Sequence, residues 1–316
     1  MLRPSILSVA ALGLMACGTL RGPTGGSDNL PVSGGGPFKL FDSSEGLGFD
    51  PPRILVDLSG DYDHPVVLRH GSALALWVTF EKNDTTQILH ADAAQFEKGF
   101  AAPDTVLVAD QAWEGGKVLA PSVIEGEPWL MFYATGAGTI GLATSTDGHA
   151  WSKQAGPIFS QTEAVSLPSA VKIGDRLRLY FWAGGAIWAV ESPYAAVVAG
   201  TPSWQPVDGD LATPTRDPML GGLPFAASIG RAFARVEETP SGRVRHDLFV
   251  GGMGLDQKAT SGWAATYEGT SFEPFSLPIA TAGVTSPMAI ADGARALMFA
   301  VQIYLDHRVI VVGHSP

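Results

Sequence analysis

The chain has 316 residues, of which 46% are hydrophobic, 16% charged and 9% aromatic. Low charge and 38 glycines, about 12% against a usual 7% or so, argue against coiled coil, disorder and helical bundle. Twenty Lys and Arg against 31 Asp and Glu give a net charge of −11, which speaks against nucleic acid or an anionic surface as partner.

The first element is an address. Arg3 precedes an apolar run at residues 6–15, too short to span a bilayer and of the length of a signal-peptide core. Cys17 is the only cysteine, so an exported chain has no intramolecular partner for it. Residues 18–37 hold seven Gly, three Pro and two Ser, a composition that cannot bury a core and reads as a flexible tether. Ordered structure is expected to begin between residues 38 and 53. No later run approaches 18 apolar residues, so any membrane attachment is expected at Cys17.

Beyond the tether a unit recurs. It opens on a proline, runs through a short apolar stretch, turns at or near glycine and re-enters a strand of aromatic and aliphatic residues. The openings are His64-Pro65, Ala120-Pro121, Leu167-Pro168, Leu223-Pro224 and Ser286-Pro287, so the prolines step by 56, 47, 56 and 63 residues. In the fourth unit the paired strand, residues 247–250, is delayed by a charged insert at 235–245. Periods near 50 with several strands each predict an all-β fold, a five-bladed β-propeller of four-stranded blades. A third strand, a Gly-containing turn and an aromatic (Trp151, Trp204, Phe272) are expected to lead into the outer fourth strand. The late run at residues 308–312 is expected to close the ring against the first blade. The expected division is a signal peptide at 1–16, a tether at 17–49 and the propeller at 50–316.

Two resemblances sharpen this reading. Leu14-Met15-Ala16-Cys17 resembles the lipobox of bacterial lipoproteins, which implies cleavage before Cys17 and its lipidation. Gly18 after the cysteine is similar to the outer-membrane-sorted class if the source is Gram-negative. Ala120-Pro121-Ser122 with the aromatic run at 129–133, and the Ser145-Thr146-Asp147-Gly148 turn with Trp151, resemble the five-bladed arabinanase, levansucrase and invertase superfamily. In that family two carboxylates at the starts of inner strands flank the sugar bond.

Carried over residue by residue, the resemblance assigns the first-blade acid to Asp63, although His64 stands where Asp would directly precede the proline. Leu167 stands where a tuning acid is expected, with Glu163 upstream. Gly222-Leu223-Pro224 lacks the expected acid, and Asp217 is the nearest carboxylate. Asp61, two residues before Asp63 on an extended strand, points to the same side. With His64 and the loop residue Trp113, a ring able to stack on a sugar, Asp61 completes a candidate ligand set.

Three functions stay open: a glycan-recognising propeller with catalysis lost or altered, an active glycoside hydrolase using Asp63 with Glu163 or Asp217, and a protein-binding scaffold. Gly136-Ala137-Gly138-Thr139-Ile140-Gly141 spells a dinucleotide fingerprint, but a strand follows where that motif needs a helix. The seven histidines show no ligand spacing, so neither metal nor cofactor is expected.

Overall fold

The computed structural model describes residues 53–55, 59–70, 72–94, 99–207, 219–238, 242–267, 269–270, 272–274, 279, 284–292 and 295–314. Cys17 and the segments expected to be a signal peptide (1–16) and a tether (17–49) lie outside the described residues.

Twenty strands form five four-stranded antiparallel sheets. Blade one is β2 (Asp61–His70), β3 (Ala73–Lys82), β4 (Thr85–Ala93) and β5 (Asp104–Val108), after the N-terminal β1 (Arg53–Leu55). Blade two is β6 (Val118–Ile124), β7 (Trp129–Thr135), β8 (Ile140–Ser145) and β9 (Ser152–Lys153). Blade three is β10 (Ser166–Ile173), β11 (Arg176–Ala183), β12 (Ala186–Pro193) and β13 (Gln205–Pro206), with the short helix α1 (Tyr194–Val198) before β13. Blade four is β14 (Ala226–Glu238), β15 (Val244–Gly254), β16 (Ala259–Thr266) and β17 (Glu273–Pro274). Blade five is β18 (Val284–Asp292), β19 (Arg295–Tyr304) and β20 (His307–His314), completed by β1.

The first strands β2, β6, β10, β14 and β18 touch in sequence and back to β2, so they form the inner ring of a five-bladed propeller. Ring closure differs from the expectation in one respect. The late run lies in β20 and pairs with β1, in register Arg53 with Val311, so the N-terminal strand becomes the outer strand of the last blade. No described helix is long and apolar enough to cross a membrane.

The core is a set of layers between blades, and the two-residue period of a strand explains its sequence. In β7, Leu130 and Phe132 pack toward blade three, while Met131 and Tyr133 pack toward blade one. In β19, Leu297, Phe299 and Val301 face blade one, and Met298 and Ala300 face blade four. A strand covered on both faces needs no polar alternation, hence the continuous apolar runs. Trp151, Trp204 and Phe272 each directly precede a short outer strand, as expected.

Each inner strand carries a register shift that bends it near the axis. In four blades the shift falls on a residue-proline pair: His64-Pro65, Ala120-Pro121, Leu167-Pro168 and Ser286-Pro287. The residue before proline is left-handed in all four, with φ of 53°, 50°, 54° and 49°. Such values are uncommon outside glycine and mark a built bulge.

The fourth blade corrects the sequence alignment. β14 has two shifts, at Ala226–Ser228 and Ile229–Ala232, and the second puts the pair at the axis at Gly230-Arg231 and not Leu223-Pro224. Leu223 lies before β14, buried in the layer between blades three and four. Of the supposed charged insert, residues 235–238 lie in β14 and 244–245 in β15. There Asp247, fully buried, takes bonds from Arg235 and Arg245, and its carboxylate also accepts the Trp263 indole N–H at 3.2 Å.

Candidate functional site

Asp61 and Asp63 open β2, Glu81 lies near the end of the antiparallel β3, Arg308 opens β20 and Lys117 immediately precedes β6. These positions share one end of the inner ring, where antiparallel strands start and stop together. Period-2 geometry brings both aspartates to Arg308, which thereby joins three carboxylates. Its Nη1 donates to Asp63 Oδ2 at 2.6 Å and its Nη2 to Glu81 Oε2 at 2.7 Å, while Asp61 Oδ2 lies 3.5 Å away. The Arg308 backbone N–H donates to Asp61 Oδ1 at 2.8 Å. Lys117 Nζ reaches Glu81 at 3.4 Å and His307 Nδ1 lies 3.4 Å from Asp61. The Asp61, Glu81 and Arg308 side chains are each about one-third exposed, so the cluster is a wet, charged rim.

Asp63 and His64 sit deeper. Asp63 Oδ1 accepts the His64 backbone N–H at 2.8 Å and the Ser286 hydroxyl at 3.0 Å, which ties blade one to blade five. Burial pushes the Asp63 carboxyl up, but His64, Arg308 and these two hydrogen bonds hold it below the usual carboxylate range. Burial pushes the His64 imidazole down to about 4 against the pull of Asp63, and its Nδ1 is buried without a hydrogen-bond partner among the described residues.

Arg231 forms the floor. Blade four borders blades three and five, yet the Arg231 guanidinium donates to Pro121 O at 2.8 Å and to Pro65 O at 3.2 Å, in blades two and one. The side chain therefore crosses the axis. It is 3% exposed, and burial brings its pKa down to about 10, opposed by Asp63.

The remaining expected residues are placed as follows. Glu163 is exposed, against the β11–β12 hairpin at Gly184, and among the described residues makes no ion pair with Arg308. Asp217 lies outside the described residues. Trp113 sits on a 3-10 turn (Ala112–Glu114), partly buried, its indole N–H bonded to Gln111 and its ring 6.4 Å from that of Tyr133. The same loop carries Lys117. Sequence reasoning missed Glu81, Arg231 and Arg308, since each approaches the site from a position with no motif around it.

The dinucleotide-like motif is structural. The glycine fingerprint is the β7–β8 hairpin, with Gly138 at φ 73°. Ser169, next to Pro168, accepts the Ala234 backbone N–H across blades, as Ser122 accepts that of Ala170.

No family model and no curated protein matches this sequence. Solved structures do match. A glycosyl hydrolase from Bacteroides ovatus superposes with a TM-score of 0.63 at 13% identity, covering 84% of this chain and 93% of its own. An α-L-arabinofuranosidase from Podospora anserina, in complex with cellotriose, gives 0.62 at 11% identity over 84% and 94%. The catalytic domain of a Coprinopsis cinerea α-L-arabinofuranosidase gives 0.61 at 10% identity over 84% and 94%. The chain is a divergent five-bladed propeller with the fold of these glycoside hydrolases.

Proposed function

We propose that this propeller recognises a glycan at the axial mouth and does so without conventional two-carboxylate hydrolysis. The observation that carries the reading is Arg308, whose guanidinium bonds Asp63 and Glu81 and borders Asp61. Glycoside cleavage needs one carboxyl that carries a proton at working pH and a second that is a free base or nucleophile. Asp63, held ionised by a cation and hydrogen bonds, does not carry that proton, and both of its oxygens are already taken, Oδ1 by the His64 backbone N–H and the Ser286 hydroxyl and Oδ2 by Arg308. Glu163 is exposed at the β11–β12 hairpin and is not among the carboxylates that Arg308 bonds.

A rim of three carboxylates, one guanidinium and the Lys117 ammonium suits sugar hydroxyls, which donate and accept. In this reading Asp61, Glu81 and Arg308 bond the hydroxyls, Asp63 and His64 fix the rim from below, and Trp113 offers ring surface beside Lys117. The carbohydrate partner also agrees with the cellotriose bound by the arabinofuranosidase of the same fold. The address motif places this activity on a lipoprotein anchored through Cys17 in the cell envelope, in the outer membrane if the source is Gram-negative.

A glycan array and a chromogenic glycoside panel on the mature chain test the proposal. Wild type is expected to bind at least one glycan and turn over none. Turnover that falls by about 10²-fold or more in Asp63→Asn identifies a hydrolase instead. Absence of both binding and turnover leaves the scaffold reading.

A further inference from the structure

A second cluster lies away from the mouth, between the third strand of blade one and the outer turn of blade two. We propose that His90, Asp92 and His149 form a binding site for a borderline divalent transition-metal cation, zinc by preference. His90 and Asp92 are two apart on β4, so their side chains share a face. His149 enters from the turn between β8 and β9, and its ring meets that of His90 edge-on at 4.2 Å.

The spacing is that of ligands around a small cation. His90 Nε2 lies 3.4 Å from Asp92 Oδ1, and His149 Nε2 lies 3.7 Å from Asp92 Oδ2. A charge-assisted hydrogen bond would draw these atoms to about 2.7–2.9 Å. Zinc bonds of about 2.0–2.1 Å place neighbouring tetrahedral ligands about 3.3–3.4 Å apart. All three donor atoms fall within 4.8 Å of one another, so a small shift of the exposed His149 and Asp92 side chains brings each within reach of one ion.

His90 supplies the independent observation. It is 4% exposed, and its Nε2 is buried without a hydrogen-bond partner among the described residues. Buried polar atoms are ordinarily paired, and a cation at this point would use that lone pair. The ring is held in place by Trp77, whose centroid lies 4.9 Å away.

His149 is equally prepared. Asp147 Oδ1 accepts the backbone N–H groups of His149 and Ala150 and the Ser145 hydroxyl. Gly148 O accepts the indole N–H groups of Trp77 and Trp151, which fixes the turn against blade one. Two imidazoles and one carboxylate favour zinc over calcium or magnesium, which prefer all-oxygen shells. Asp92 and His149 are about half exposed, so a fourth position opens to solvent and can hold water or an outside ligand.

The test is calorimetric titration of zinc chloride into the full mature chain, untagged and stripped with chelator, beside His149→Ala and Asp92→Asn. Both substituted side chains are about half exposed, so both variants are expected to fold, which circular dichroism checks. Wild type should take up one zinc, and each variant should bind at least about tenfold more weakly. Cobalt should give visible d–d absorption of tetrahedral intensity in wild type and lose it in His149→Ala. The proposal is overturned if zinc binding is unsaturable, if both variants bind like wild type, or if calcium displaces zinc at equal concentration.

Discussion

Protonation of His64 should cost this fold much of its stability in mild acid. The ring is buried at the axis, between the Asp63 carboxylate and the Arg231 guanidinium, and burial holds its pKa near 4 in place of the ordinary 6.5. Above pH 6.5 both folded and unfolded chains carry a neutral ring, so the group contributes no pH dependence. Between pH 6.5 and 4 the unfolded chain binds a proton that the folded chain refuses, and stability falls as pH drops. At about 1.4 kcal/mol per pH unit, the interval from 6.5 to about 4 is worth about 3 kcal/mol. His64→Asn removes the titrating ring and suits the backbone, since Asn tolerates the left-handed conformation at φ 53°. Urea denaturation at intervals from pH 7.5 to 4 measures the effect. The variant's unfolding free energy should fall less than that of wild type, by about 3 kcal/mol across the window. His246, whose pKa burial also lowers to about 4, contributes equally to both proteins. Parallel curves would refute the claim that His64 stays neutral in the fold.

Lys153→Met should destabilise the protein by about 3 kcal/mol, because it strands the fully buried Glu114, whose carboxylate Lys153 holds at 2.7 Å. Adding Glu114→Gln should recover part of that loss in chemical denaturation, and a double variant worse than the sum of the singles would contradict the pairing. Cys17→Ser should abolish labelling by a palmitate analogue and release the chain from membranes, and unchanged membrane association would sink the lipid-anchor proposal. Trp113→Ala should weaken glycan binding severalfold, as loss of one stacking ring does, and unchanged affinity would assign the indole to loop packing alone.

The blades were legible because the bulge at the axis uses a residue-proline pair in four of five repeats, and proline is visible in any sequence. The fourth blade was misaligned because Gly230-Arg231 bends the strand without proline, while Leu223-Pro224 mimicked the pattern seven residues earlier. Ring closure by β1 was hidden because Arg53–Leu55 is only three residues long. At the mouth, Asp61 and Asp63 could be found from their place before the first inner strand. Arg308 pairs with Asp63 across 245 residues, and Arg231 reaches Pro65 across 166, so no local pattern announces either. The His90, Asp92 and His149 cluster escaped a search for ligand spacing for the same reason, since only two of its members are neighbours along the chain.

The central claim rests on Arg308 as organiser of a binding rim. Calorimetric titration of the best array glycan into wild type and Arg308→Met, each also assayed for sugar release, tests it most directly. The variant is expected to bind at least about tenfold more weakly, as follows from the loss of charge-assisted hydrogen bonds, and neither protein is expected to release sugar. Equal affinity in the two proteins, or sugar released by wild type and lost in Asp63→Asn, would contradict the claim.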